Sequence, residues 1–281
     1  MTASGPTKRS AVTYIEDSVG RPLGTSHTHP LRKSARPTGR KTAVLHSNSS
    51  RPLDNKLLAA LPRNHFDLLV PHITTVALAQ GLVISEAGDE VADVLFPHDG
   101  MLSMLAVMRD GKAIETATVG NEGVVGAMAG LGLYKSLVRV VVQLPMSATK
   151  ISAANFRKAV QKSDVIRDLC IDYNEVLLSQ ARVTAACNAL HPIEQRFCRW
   201  LLQSADRAAD DRVGLTQEFL AEMLGVRRTS VTEIASKIQA QGLISYSRGL
   251  ITILDRRGLE SLSCECFQTL LDQSAMLPTI R

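Results

Sequence analysis

Apolar residues recur at three- and four-residue spacing through the second half of the chain and in short alternating runs through its middle, so helical and strand textures separate along the sequence. Between 55 and 69, Leu57, Leu58, Leu61, Phe66 and Leu69 predict one or two short helices punctuated by Pro62. From Val70 to Ile151, runs rich in Val, Ile, Thr and Leu alternate with turn signals at Gly81, Ala87-Gly88-Asp89, His98-Asp99-Gly100, Arg109-Asp110-Gly111 and Gly120-Asn121-Glu122-Gly123. That spacing predicts a small antiparallel barrel or sandwich with an interior. Beyond it, Val165, Ile166, Leu169, Cys170, Tyr173, Val176, Leu177, Ala181 and Thr184 form one long apolar stripe, stopped at His191-Pro192 because proline cannot continue the hydrogen-bond ladder. A helix of about 25 residues at roughly 1.5 Å each is longer than a small barrel needs, so it is expected to dimerise through Ile166, Tyr173, Leu177 and Thr184. The alternative is burial against its own barrel. Residues 193 to 208 predict a further amphipathic helix, with Phe197, Trp200, Leu201 and Leu202 facing in.

Residues 215 to 254 read as a winged helix-turn-helix. Thr216 offers an N-cap hydroxyl to a helix whose stripe is Phe219, Leu220, Met223 and Leu224. Gly225 breaks that helix, and Val226 would plug the turn. A second helix begins near Arg227 and buries Val231, Ile234, Ala235 and Ile238. Its other face carries Arg227, Arg228, Thr229, Ser230, Thr232 and Glu233, where a recognition helix meets base edges and phosphates. Arginine can fork onto guanine, hydroxyls suit phosphate oxygens, and glutamate can accept from cytosine. The runs 243–246 and 250–253, joined by Ser247-Arg248-Gly249, predict a hairpin wing with Arg248 as its basic tip. The competing assignment is an ordinary pair of helices at an angle inside an enzyme.

Composition adds limits. The chain has 281 residues, 45% hydrophobic, with a net charge of +5, enough for a sizeable core and two domains with an anionic partner. Residues 1 to 50 hold Lys8, Arg9, Arg21, Arg32, Lys33, Arg36, Arg40 and Lys41 against Glu16 and Asp17, the composition of a disordered basic tail. No apolar run reaches the roughly 18 residues of a membrane span, and no secretory leader is legible, so the chain is expected in the cytoplasm with its five cysteines reduced. Cys264-Glu265-Cys266 supplies two thiols where a tetrahedral site wants four ligands, and His191 lies far upstream, so no metal is expected there. Lys135 and Arg139 read as a solvated face or a contact for polymerase or an anion. The common hydrolase and nucleotide-hydrolysis signatures are missing, which argues against an enzyme.

With strand region, long helix and winged helix in this order, residues 55 to 267 resemble the Crp-Fnr superfamily of bacterial transcription regulators. The resemblance is most specific in Glu194-Gln-Arg-Phe-Cys-Arg-Trp-Leu-Leu, in 215–232, in Gly242-Leu-Ile-Ser-Tyr-Ser-Arg-Gly and in Cys264-Glu-Cys. It implies an α+β chain: a tail over 1–50, a jelly-roll barrel of cyclic-nucleotide-binding type over 51–152, a connector and dimerisation helix over 153–191, a winged helix-turn-helix over 192–267 and a C-terminal tail over 268–281. It further implies a homodimer on a two-fold double-stranded DNA operator, acting as activator or repressor, with RNA polymerase and a small-molecule effector as partners. The alternative is a ligand-binding or protein-interaction scaffold without DNA readout. Arg228, Thr229 and Glu233 fall at the superfamily's base-reading positions, where better-known members have arginine, glutamate and often a second arginine, so a different operator is expected.

For the effector pocket, Gly120-Asn121-Glu122-Gly123 looks like the start of the cyclic-nucleotide cassette, with Glu122 for the ribose. Counting back from Ile151 puts Ser136 opposite the phosphate arginine, and Arg139 is three residues out of register. A buried cyclic phosphate would then lack its counter-charge, so no cofactor is expected. Iron–sulfur sensing would need cysteines near the barrel, yet all five lie at or after 170. Haem sensing would fall to His72 or His98, although a lone histidine is more often structural.

Overall fold

A computed structural model describes residues 52–208 and 210–275; the predicted basic tail and the last six residues lie outside the described residues. Two short helices come first, α1 (Lys56–Ala60) and α2 (Arg63–Phe66). Asn55 caps α1, its Oδ1 accepting from the Leu57 and Leu58 N–H groups at 3.0 and 3.1 Å. The strand region follows as β1 (Ile73–Leu78), β2 (Val83–Ser85), β3 (Asp93–Pro97), β4 (Met101–Val107), β5 (Ala113–Val119), β6 (Arg139–Leu144) and β7 (Met146–Ser152). These pair antiparallel in two sheets, ordered β1-β7-β3 and β2-β6-β4-β5.

The apolar run of β6 is explained by burial on both faces. Val140 and Val142 join Leu102 and Val119 in a first core with Val76, Leu78, Ala148 and Ile151 of the other sheet. Val141 and Leu144 turn the other way, with Met101 and Leu105, into a second core.

That second core is completed by the C-terminal third. After α3 (Ala153–Lys162) and α4 (Asp164–Leu190) come α5 (Ile193–Ala208), β8 (Arg212–Gly214), α6 (Gln217–Leu224), α7 (Arg228–Ala240), β9 (Ile244–Ser247), β10 (Leu250–Ile253), α8 (Arg256–Leu262) and α9 (Cys266–Ala275). Phe197, Trp200, Leu201 and Leu220 pack in one cluster with Met101 and Val141. Gly225, between α6 and α7, needs glycine twice over. Its φ is 65°, and a Cβ there would sit 2.6 Å from Ile114 Cδ1 of β5. Two ion pairs bridge the same seam, Arg207 to Glu122 at 2.8 Å and Arg139 to Glu222 at 3.7 Å.

The 27 residues of α4, N-capped by Ser163, correct the expected dimer seam. Ile166 and Tyr173 are buried in their own chain's first core, Leu177 is half-buried against it, and Thr184 is buried farther along. Gln180, on the same face, accepts the Thr118 N–H at 3.0 Å. The stripe faces inward because β5, α3 and α9 cover it. The open face of α4 instead presents Ile171 and Leu178, 50% and 42% exposed, with Ala185 one further seven-residue step along. The expected C-terminal tail is corrected too: residues 268–275 belong to α9, which buries Phe267 and Leu270.

Candidate nucleic-acid interface and ligand cavity

The turn between α6 and α7 sets the position of the predicted reader. Thr216 caps α6, its Oγ1 accepting the Phe219 N–H at 3.2 Å. At α7 the N-cap is Arg227, which makes no side-chain cap, so the first-turn N–H groups keep their pull on an anion. Val231, Ala235 and Ile238 face the core, which leaves Arg227, Arg228, Thr229, Thr232 and Glu233 exposed and Ser230 half-buried. The Arg228 guanidinium lies 2.7 Å from Glu218 Oε1, and its Nε donates to Gln217 Oε1 at 3.3 Å. The Thr232 hydroxyl donates to the same Gln217 oxygen at 2.9 Å. Both partners of the Arg228–Glu218 pair are more than 60% exposed, so it is weak and readily exchanged for a nucleic-acid contact. Sequence reasoning missed Gln217 and Glu218; their place in the first turn after the Thr216 cap was the available signal.

The wing is a two-residue hairpin, with Ser247 opposite Leu250 and both Arg248 and Gly249 at positive φ, 51° and 78°. This matches the turn class whose twist suits antiparallel strands. Arg248 is the only non-glycine at positive φ among the described residues, and it stands exposed at the tip. Tyr246 ties the hairpin to both sides of the helix pair: its hydroxyl donates to the Leu215 carbonyl ahead of α6 at 3.0 Å, and its N–H donates to Gln239 Oε1 of α7 at 2.7 Å.

Inside the double-sheet domain lies a cavity of about 430 Å³, walled by Val76, Leu82, Ile84, Val140 and, from α4, Tyr173 and Leu177. Ser136 lines it as expected of a pocket residue. Glu122 and Arg139 do not, and both expectations are corrected. Burial pushes the Glu122 carboxyl up, but the Arg207 guanidinium beside it more than reverses this and holds it below the usual range. Its Oε1 also accepts the Gly120 N–H at 3.1 Å. Arg139 is directed to Glu86, its Nε donating to Oε2 at 2.9 Å, and to Glu222. Among the described residues that wall the cavity there is no arginine, but Lys135 and Lys150 are there, with Glu90 and Asp93. His98 is buried outside it, with Nε2 2.7 Å from Thr149 Oγ1 and its pKa lowered by burial, while His72 is exposed.

The expectation that Cys264 and Cys266 stand without further ligands is overturned. Cys187 and His191, at the end of α4, meet them in one cluster whose ligand atoms all lie within 4.8 Å of one another. The approach of α9 to α4 makes this contact across more than 70 residues of sequence.

Among the described residues, no helix is long and apolar enough to cross a membrane. A family model described as a Crp-like helix-turn-helix domain matches residues 195–262. No curated protein sequence matches the chain. Among solved structures, FixK2 from Bradyrhizobium japonicum aligns with a TM-score of 0.59 at 15% identity, covering 68% of this chain and 98% of that one. The c-di-GMP-responsive global regulator CLP of Xanthomonas campestris aligns at 0.56 and 17% identity, covering 68% and 99%. A transcriptional regulator of the CRP/FNR family from Thermus thermophilus aligns at 0.54 and 19%, covering 68% and 98%.

Proposed function

This chain has the fold of a Crp/Fnr-type transcriptional regulator with a Crp-like helix-turn-helix domain, and on that premise we propose that it is a homodimeric, sequence-specific DNA-binding regulator acting in the cytoplasm. The observation that carries this reading is the exposed face of Arg227, Arg228, Thr229, Thr232 and Glu233 at the uncapped start of α7, with the basic tip of the wing beside it. Arg228, Thr229 and Glu233 read base edges, while Arg227, Ser230, Thr232, Thr216 and Arg248 hold the phosphate backbone. Pairing through the open face of α4, at Ile171, Leu178 and Ala185, would present two readers to half-sites about one helical turn apart.

The effector is a small molecule with a mainly apolar body, because most of the cavity wall is aliphatic; its charged lining is Lys135 and Lys150 with Glu90 and Asp93, and no arginine is there to hold a cyclic phosphate. Tyr173 and Leu177 place α4 in contact with whatever fills the cavity, so occupancy biases the helix between a DNA-competent and another arrangement. RNA polymerase is the partner that completes the regulatory step, and the chain acts as a regulator and not as a catalyst.

Selection of bound duplexes from a random pool by the full-length protein tests the reading. It is expected to return a two-fold symmetric site, from which Arg228→Ala loses roughly 1 to 3 kcal/mol with altered base preference. A folded protein that enriches no sequence would overturn it.

A further inference from the structure

We propose that Cys187, His191, Cys264 and Cys266 form a structural zinc site that fastens the end of α4 to the start of α9. Local folding sets up each half. The His191 N–H bonds the Cys187 carbonyl at 3.1 Å in the last turn of α4, which puts the two side chains four residues apart on one face. Cys264 precedes α9 and Cys266 opens it, with the Phe267 N–H bonded to the Cys264 carbonyl at 3.1 Å. The three cysteines are buried, at 0%, 4% and 6% exposure for Cys187, Cys264 and Cys266.

Distances decide between a chance gathering of thiols and a coordination set. Tetrahedral zinc with Zn–S of about 2.3 Å and Zn–N of about 2.0 Å separates its ligands by about 3.8 Å between sulfurs and about 3.5 Å between sulfur and nitrogen. Cys187 Sγ lies 3.5 Å from Cys264 Sγ, and Cys266 Sγ lies 3.5 Å from His191 Nδ1. The widest separation in the set, within 4.8 Å, needs to close by only about 1 Å. A sulfur pair at 3.5 Å is not a disulfide, and all five cysteines are free thiols.

The surroundings match what a metal-bound imidazole requires. His191 Nε2 lies 3.1 Å from Glu265 Oε1, so a carboxylate holds the outer ring nitrogen and aims Nδ1 at the cluster. Three thiolates and one divalent ion leave one net negative charge. Arg196 and Arg199 both act electrostatically on Cys187, and the buried Nε of each has no acceptor among the described residues. Soft thiolates with imidazole select zinc over magnesium or calcium, and four protein ligands leave no open position, so the role is structural. The ion would lock the turn at His191-Pro192, from which α5 and the reader depart.

Full-length protein, purified under reducing conditions and analysed for metal, is expected to hold about one zinc per chain. Titration of metal-depleted protein with cobalt chloride is expected to give the intense visible bands of a tetrahedral thiolate complex. Cys264→Ser and His191→Ala should lose those bands, Cys170→Ser should keep them, and chelation should lower the melting temperature of the wild type. Reduced wild-type protein that takes up neither zinc nor cobalt would overturn the proposal without recourse to any variant. So would tetrahedral bands that survive Cys264→Ser, or a Cys187–Cys264 disulfide in protein purified without oxygen.

Discussion

Trp200 Nε1 donates a 3.0 Å hydrogen bond to Glu115 Oε1, joining α5 to β5 across 85 residues of sequence. Ser103 donates to the other carboxylate oxygen at 2.6 Å and also contacts Gln143. Glu115 thus sits where α5 lies on the sheet, and burial pushes its pKa up to about 7 although Ser103, Arg199 and Trp200 each pull it down.

This carboxyl should make stability depend on pH. The folded state holds the proton more tightly than the unfolded chain, so the contribution is complete at pH below the ordinary value of 4.5 and is lost as pH rises to about 7. At about 1.4 kcal/mol per pKa unit, the loss is at most about 3.5 kcal/mol. Denaturant unfolding at pH 5 and pH 8, compared between wild type and Glu115→Gln, is expected to show a smaller decline in the variant. Equal declines would mean that Glu115 is ionised throughout.

The Arg207–Glu122 pair is nearly enclosed, with side-chain exposures of 12% and 14%. Arg207→Ala should therefore cost about 3 to 5 kcal/mol, because a buried carboxylate is left without its counter-charge. Adding Glu122→Gln should recover part of that loss in thermal or denaturant unfolding. If the double variant is no more stable than Arg207→Ala, the cost lies in lost packing of the arginine stem instead.

Leu178→Glu probes the open face of α4 without touching the chain's own core, since Leu178 is 42% exposed. Sedimentation equilibrium is expected to shift from dimer to monomer, with DNA affinity falling in step. A variant that stays dimeric would place the partner contact elsewhere.

The winged helix-turn-helix was legible because its signals are local. A cap at Thr216, a left-handed Gly225 and an apolar period in α7 all act within a few residues. Ile166 and Tyr173, expected on a dimer seam, lie in the chain's own core, because periodicity identifies a helix's apolar face but not what covers it, and α9 arrives from nearly 90 residues on. Glu122 shows the same limit. Its motif pointed to a pocket, yet Arg207, 85 residues later, reaches it first. The metal-type cluster was half visible as Cys264 and Cys266; only the return of the chain onto α4 supplies Cys187 and His191.

Met101, Leu105, Val141 and Leu144 share one interior with Phe197, Trp200 and Leu220. The sheet domain and the helix-turn-helix domain should consequently melt together, and a polypeptide cut between them would expose a greasy sheet face prone to self-association. Any motion that lifts α6 and α7 from this seam must admit water to that shared interior, at a cost that grows with the apolar area uncovered.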